Sequence, residues 1–456
     1  MKRKMLLQLI VVLCAVFVYQ NTYAQCGSVG KGTNGGIKCI YRDSVHNRLY
    51  MGGGFKSSGT MMMNNCGYWD SIDYVPMGMN DINGCNDSVW CFTYFNNSLY
   101  VGGKFTQAGG IACNHVARWD GASWSAVGDG FNESLHTLAV YNNELYAGGD
   151  FTASASIPVN HIGRWNGTQW NQVDGGVNDD VDVMCVWNNA LYIGGDFTIA
   201  GGNTANRICK WDGNSFSPVG TGFTSGMMGE CMVHSLCVYN GNLYAGGMFE
   251  HGGAMNMSNI GMWNGSSWNT IGNIGGAMMG DNAVSAMCVY YNRLFVGGNF
   301  SSCGSRQASN LGVWDGSSWS NIGTGMNGEV NTITVYNNEL YIGGAFTDAA
   351  GIAVNNIAKY SVVSGIQSLQ SDVNLFRIFP NPANENVSIT YDLKAIANLS
   401  IDVYDVLGKK VVVSMDEKQT GSGTKQFNTT SLPIGNYIVR LQANGQNYIQ
   451  KLSVIH

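Results

Sequence analysis

The sequence predicts an all-β protein: a seven-bladed β-propeller closed by its own N-terminal strand, followed by a small C-terminal β-sandwich. Three observations carry that reading. The pattern Leu, aromatic, apolar, Gly, Gly, any residue, Phe occurs seven times, led by Leu49, Leu99, Leu145, Leu191, Leu243, Leu294 and Leu340. Successive leucines stand 50, 46, 46, 52, 51 and 46 residues apart, and a fixed period in this range marks a ring or an array of small units. Each of the first six units also holds four short strand-like runs, the number a propeller blade needs. Finally, the seventh unit stops after its third run, Asn356-Ile357-Ala358-Lys359-Tyr360, whereas Cys26-Gly27-Ser28-Val29-Gly30 matches a fourth run such as Ser125-Ala126-Val127-Gly128. Placing Val29 beside Ala358 closes the circle and removes the bare edge an open array would leave.

The third repeat shows how each strand is read. Leu138-Ala139-Val140-Tyr141 is followed by Asn142-Asn143, a pair that tolerates the positive φ of a tight hairpin, and then by the Leu145 strand. After a longer loop comes Asn160-His161-Ile162-Gly163-Arg164-Trp165, a second tight turn at Asn166-Gly167, and Trp170-Asn171-Gln172-Val173. The turn column holds Asp120, Asp212 and Asp315 in some repeats and Asn166 and Asn264 in others. A side chain interchangeable between acid and amide suits a turn that either one caps, and does not suit a metal ligand or a catalytic acid.

The chain begins Lys2-Arg3-Lys4, an apolar run over residues 5–19 and then Asn21-Thr22-Tyr23-Ala24, the build of a cleavable signal peptide with a mature start at Gln25. No later run is long enough to span a membrane. Gln25 ahead of Cys26 argues against lipidation, which needs a small residue there. The formal charge of −6 argues against a nucleic-acid partner. Of 13 cysteines, Cys14 lies in the signal peptide, leaving twelve in an exported chain where disulfides are permitted. Cys85 with Cys91 and Cys231 with Cys237 share one spacing and are candidate local bridges, while Cys39, Cys185, Cys237 and Cys288 read as one column of small inner-strand residues.

Paired glycines such as Gly194-Gly195 let a neighbour approach where a side chain would clash, and rings such as Tyr192, Phe197, Trp211 and Phe216 fill the space between blades. The Gly-Gly doublet closing the second strand, with aromatics on the third and fourth, resembles the kelch repeat over about residues 25–361. Trp replaces the usual Tyr and the turn is shorter, so the repeats are kelch-like.

The longer connections, from strand two to three and from strand four to the next blade, share one face, and binding belongs there. Ahead of six first strands stands a carboxylate: Asp87, Glu133, Asp180, Glu230, Asp281 and Glu329. Around a channel mouth these acids form a negative collar for cations, calcium included, or for cationic ligands; otherwise they are solvated loop acids. Two long loops carry Met227-Met228-Gly229 and Met278-Met279-Gly280, and Met61-Met62-Met63 adds a third cluster. Loop packing, an adaptable apolar patch and soft ligation of copper(I) are the three readings of these thioethers. The histidines look scattered, and no nucleophile elbow, phosphate loop or zinc framework appears. The cluster Asp179-Asp180-Asp182 could include a glycosidase carboxylate, a chemistry that requires two positioned acids.

Beyond residue 361 the glycines thin out. Residues 362–372 read as a linker and 373–456 as a small sandwich of alternating runs, among them Val387-Ser388-Ile389-Thr390, Ile401-Asp402-Val403-Tyr404 and Tyr437-Ile438-Val439-Arg440. Phe379-Pro380-Asn381-Pro382-Ala383, then Val403 to Lys409 with Gly408, then Leu432-Pro433-Ile434-Gly435-Asn436-Tyr437, and Lys451-Leu452-Ser453-Val454 together resemble the type A C-terminal sorting domain of type IX secretion cargo in the Bacteroidota. That resemblance implies recognition by the type IX machinery and a secreted or surface location. The propeller is then expected to bind an extracellular glycan or protein ligand. The alternatives are a polysaccharide-active enzyme using Asp180, Glu230 or Asp281, and a structural surface component.

Overall fold

The computed structural model describes residues 23–79, 82–225, 230–275, 283–363, 373–405, 409–443 and 446–455. The chain divides into two compact units, Met1–Ser364 and Gly365–His456. Both are built of strands; the described residues contain no α-helix.

The first unit holds seven four-stranded antiparallel sheets, an arrangement consistent with a β-propeller. In the first, Ile37–Asp43, Arg48–Gly53, Cys66–Trp69 and Tyr74–Pro76 lie side by side in chain order, and the next five repeat that order. The seventh sheet takes Glu329–Tyr336, Glu339–Ala345 and Ile357–Val363 from the end of the repeats and Tyr23–Ser28 from the start of the chain. Its register is one residue earlier than expected, with Ser28 rather than Val29 opposite Ala358. A turn explains the difference: Gly32 N–H donates to the Val29 carbonyl at 3.0 Å, so the chain leaves the ladder there.

First strands of successive repeats pack against one another, and Glu329–Tyr336 packs in the same way against Ile37–Asp43. The doublet glycines fit this packing. A Cβ on Gly148 would lie 2.4 Å from Val181 Cγ1 of the next repeat, on Gly194 2.6 Å from Val233 Cγ1, and on Gly343 2.8 Å from Ile37 Cγ2. The close neighbour is thus a branched aliphatic side chain opening the next first strand. At the other end of these strands, Tyr141, Tyr239, Tyr290 and Tyr336 donate their hydroxyls to the carbonyls of Asn189, Asn292, Asn338 and Asn47 in the next hairpin turn. Trp170 and Trp268 donate Nε1–H to Val127 and Val219 of the preceding fourth strand's exit, and Tyr74 donates its hydroxyl to Val29 in the same sense.

Local turns follow the sequence. Asn142 and Asn143 have φ of 48° and 60°, as the tight hairpin requires. Oδ1 of Asp120, Asn166, Asp212, Asn264 and Asp315 each accepts two backbone N–H groups two and three residues on, which is why acid and amide alternate there. The cysteine column needs correction. Cys185, Cys237 and Cys288 face Tyr192, Tyr244 and Phe295, whereas Cys39 faces Gly52 and so corresponds to Cys91 opposite Gly102. The first hairpin has two extra turn residues, which displaced the count.

In the second unit, Asn386–Tyr404 and Lys410–Asn428 are strands of 19 residues each. The first half of Asn386–Tyr404 pairs with Val373–Phe379 and its second half with Gly435–Ala443, which in turn pairs with Gln446–Val454. All five strands belong to one hydrogen-bonded sheet, and Val373–Phe379 also packs against Gln446–Val454, its non-neighbour in the ladder, so the sheet folds over on one core, as a small sandwich requires. Strands this long serve both halves of a single core, in which Val387, Ile389, Tyr391, Leu399, Ile401 and Val403 alternate inward.

Candidate functional site

Each first strand of the repeats carries a β-bulge near its start, skipping one residue in the ladder. The skipped residues are Lys38, Trp90, His136, Asp182, His234, Ser285 and Asn331. A bulge releases a side chain from the two-fold alternation of the strand and re-aims it. The strand start adjoins the end of the Gly-Gly strand, so this column sits at the end from which the longer loops leave.

In repeats three to five the bulge side chains join across neighbouring sheets. His136 Nδ1 lies 2.8 Å from Asp182 Oδ1, and its Nε2 lies 2.7 Å from Oδ1 of Asp150, the residue after the Gly-Gly doublet. Asp182 Oδ2 meets His234 Nδ1 at 3.2 Å. His161 Nδ1 reaches Asp180 Oδ1 at 3.3 Å, and the Trp90 ring meets His136 edge-on at 4.9 Å. The result is a continuous chain Asp150–His136–Asp182–His234, flanked by Asp180, His161 and Asp196.

Electrostatics favours the charged forms of the two central members, His136 and Asp182. Burial alone would depress the His136 imidazole, but hydrogen bonds to Asp150 and Asp182, with their charges, push it up to about 10. The imidazole is therefore charged at neutral pH, its Nδ1–H donating to Asp182 and its Nε2 side ion-paired with Asp150. Burial would likewise raise Asp182, and the hydrogen bonds from His136 and His234 instead hold it down at about 2. Asp196 behaves differently: burial, then the charge of Asp182, raises it to about 6, and its buried Oδ1 has no hydrogen-bond partner among the described residues. Asp180 is raised by burial and by Asp150. Groups with displaced titrations gathered at one place mark a candidate site. Among the described residues no group of three or more His, Cys, Asp or Glu side chains is set to hold a metal ion.

The sequence-predicted residues are distributed differently. Asp180 and Glu329 occupy one ladder position, each giving its carbonyl to the turn beyond the glycine doublet, where other repeats place Gly36, Ser88, Ser134, Met232 and Ala283. Asp87 and Glu133 precede that position by one residue and Glu230 by two, and all three are exposed. Met227, Met228, Met278, Met279 and Asp281 lie outside the described residues. Met61 and Met62 are exposed and Met63 is buried. All twelve cysteines from Cys26 to Cys303 carry free thiols, and neither Cys85 with Cys91 nor Cys231 with Cys237 is bridged. The bulge column escaped the sequence reading, though its signal was present. Counting twelve residues back from the first doublet glycine lands on it in six repeats, and fourteen in the first.

Clefts also lie away from this His–Asp chain. One of about 380 Å³ is lined by His46, Arg48, Tyr94 and Trp119 at the tight-turn end, and one of about 470 Å³ by Asn114, Gly128, Phe131 and Asn132 among the loops.

The tail motif is likewise a built feature. Asn381 donates Nδ2–H to the Lys451 carbonyl at 2.7 Å and accepts from Ser453 N–H at 2.9 Å, tying the Phe379-Pro380-Asn381-Pro382 segment to the last strand. The peptide bonds preceding Pro380 and Pro382 are cis. Tyr437 donates its hydroxyl to Pro433, Gly435 pairs with Val454, and Gly408 lies outside the described residues. Residues 377–455 match the family described as secretion system C-terminal sorting domain. The tail is a sorting domain. It marks the protein for type IX secretion, released or attached at the cell surface. No curated protein matches the chain. A solved structural-genomics protein of unknown function from Bacteroides thetaiotaomicron is similar at 12% identity and a TM-score of 0.33, covering 73% of this chain and all of its own. No described helix is long and apolar enough to cross a membrane.

Proposed function

We propose that the repeats form a closed, kelch-like, seven-bladed propeller, displayed outside the cell as a binding module for a glycan or protein ligand. Closure is supported by the seam between the last and first repeats, which uses the glycine contact and strand packing of the other junctions and the tyrosine hydrogen bond of three of them. The binding role rests on one observation: the chain of carboxylates and histidines at the looped end of repeats three to five, with Trp90 beside it. Preset donors and acceptors next to an aromatic edge suit polar ligands, and the excess of carboxylates favours a cationic group. Calcium is included among the cations to be tried.

A second reading is favoured by Asp196. A carboxyl raised to about 6 beside ionised Asp182 is suited to general-acid work on a polysaccharide. A glycan array and a product-release assay on the exported protein, with and without Asp150→Asn/Asp182→Asn, separate the two. Binding that the double variant abolishes, without turnover, supports the module; turnover that Asp196→Asn abolishes supports the enzyme. Binding unchanged in the double variant refutes the assigned site.

A further inference from the structure

We infer that Cys66 and Cys85 are joined by a disulfide in the exported protein, cross-linking the third strand of the first repeat to the loop that opens the second. Their sulfurs lie 3.9 Å apart, in contact, and both residues are fully buried. Their backbones are held together independently of the thiols. Cys85 N–H donates to the Asn64 carbonyl at 2.8 Å, and Asn65 Nδ2–H donates to the Cys85 carbonyl at 2.8 Å. The two residues next to Cys66 therefore grip Cys85, which suits the short Cα separation a bridge demands.

Five of the other repeats supply an internal control, and the seventh pairs buried Thr33 with Ile357. The N–H that corresponds to that of Cys85 belongs to Phe131, Val177, Phe223, Ile274 and Met326, each donating to the equivalent loop carbonyl. The positions that correspond to Cys66 hold Val116, Ile162, Ile208, Ile260 and Leu311. All ten are buried apolar residues that fill the junction by volume alone. In one repeat only, both partners are cysteine. Two thiols replace a pair such as Val116 and Phe131 at a loss of volume, and a covalent bond offsets the packing given up.

Type IX export takes the chain through the periplasm, an oxidising compartment. There a thiol–disulfide oxidoreductase supplies the oxidant. Both S–H bonds break and one S–S bond forms, while the electron pair and, in net terms, the two protons pass to the carrier, whose disulfide becomes a dithiol. Burial places this step before the junction closes.

The test uses protein recovered from the cell surface or medium, unfolded without reductant, alkylated, and cut on the N-terminal side of aspartates. Cys66 then lies in fragment 43–69, Cys85 in 81–86, and Cys91 with Cys113 in 87–119. The expected result is a 43–69/81–86 conjugate, about 2 Da lighter than the two reduced fragments together, that separates on reduction. A Cys66→Val/Cys85→Phe variant, copying the second repeat, stays folded and loses the sensitivity of its melting temperature to dithiothreitol. Alkylated Cys66 and Cys85 fragments, or Cys85 linked to Cys91 or Cys113, would overturn the inference.

Discussion

Replacing Asp182 with Asn removes the central charge of the His–Asp chain while keeping its size. The shift of His136 from 6.5 to about 10 corresponds to about 5 kcal/mol shared between two carboxylates. A fifth of the imidazole is open to solvent, and screening lowers the share of Asp182 to about 1–2 kcal/mol. The variant should melt roughly 2–5 °C lower near pH 6. Because the folded pKa of His136 is raised, its stabilisation is complete below about pH 6.5 and fades as pH climbs to about 10. Asp182 is depressed, so its contribution is complete above about pH 3.8 and is lost as pH falls toward 2. The melting difference between wild type and variant should therefore be widest from about pH 4 to 6.5 and shrink toward pH 10. Calorimetry at pH 6, 8 and 10, with a double-mutant cycle against His234→Gln, reads it directly. Equal differences at pH 6 and pH 10, or none at pH 6, refute the charge chain.

Three further outcomes are open to measurement. Gly194→Ala forces a Cβ to within 2.6 Å of Val233 Cγ1 and should cost about 2 kcal/mol in urea unfolding, whereas Gly241→Ala, in an open turn with none of the described atoms beyond its chain neighbours within 4 Å but at a φ of 75°, should cost about 1 kcal/mol from backbone strain alone. Changing Asn142 and Asn143 together to Ala puts two side chains without local hydrogen bonding at φ of 48° and 60°, at a cost of about 2 kcal/mol that Gly-Gly at the same sites should largely avoid. In the tail, the buried Asp402 carboxylate sits 2.6 Å from Arg440 and 3.0 Å from Lys410. Asp402→Ala should lower the amount of protein reaching the cell surface, as deletion of residues 365–456 should do more completely, with cell fractionation as the assay.

The repeats were legible because each constraint on them is local. Positive φ at Asn142 and Asn143, side-chain caps at Asp120 and Asn166, and glycine in Gly148-Gly149 answer to neighbours a few residues away or to one position repeated seven times. The tail was legible through four short motifs whose order is maintained along eighty residues. Misreadings arose where one residue shifted a register. The turn at Val29 ended the first strand early, and two extra residues in the first hairpin moved Cys39.

By itself the sequence determined the strand periodicity, the turn chemistry and the export address, all of which depend on neighbouring residues or on motifs read in order. Only the tertiary structure decided that His136, Asp182 and His234 form one charged chain and that Cys66 touches Cys85. Those partners come from different repeats, and a bulge takes the three site residues out of the alternation by which strand faces are read. Side-by-side packing of sheets, with no trace in any single segment, brings them within hydrogen-bonding reach.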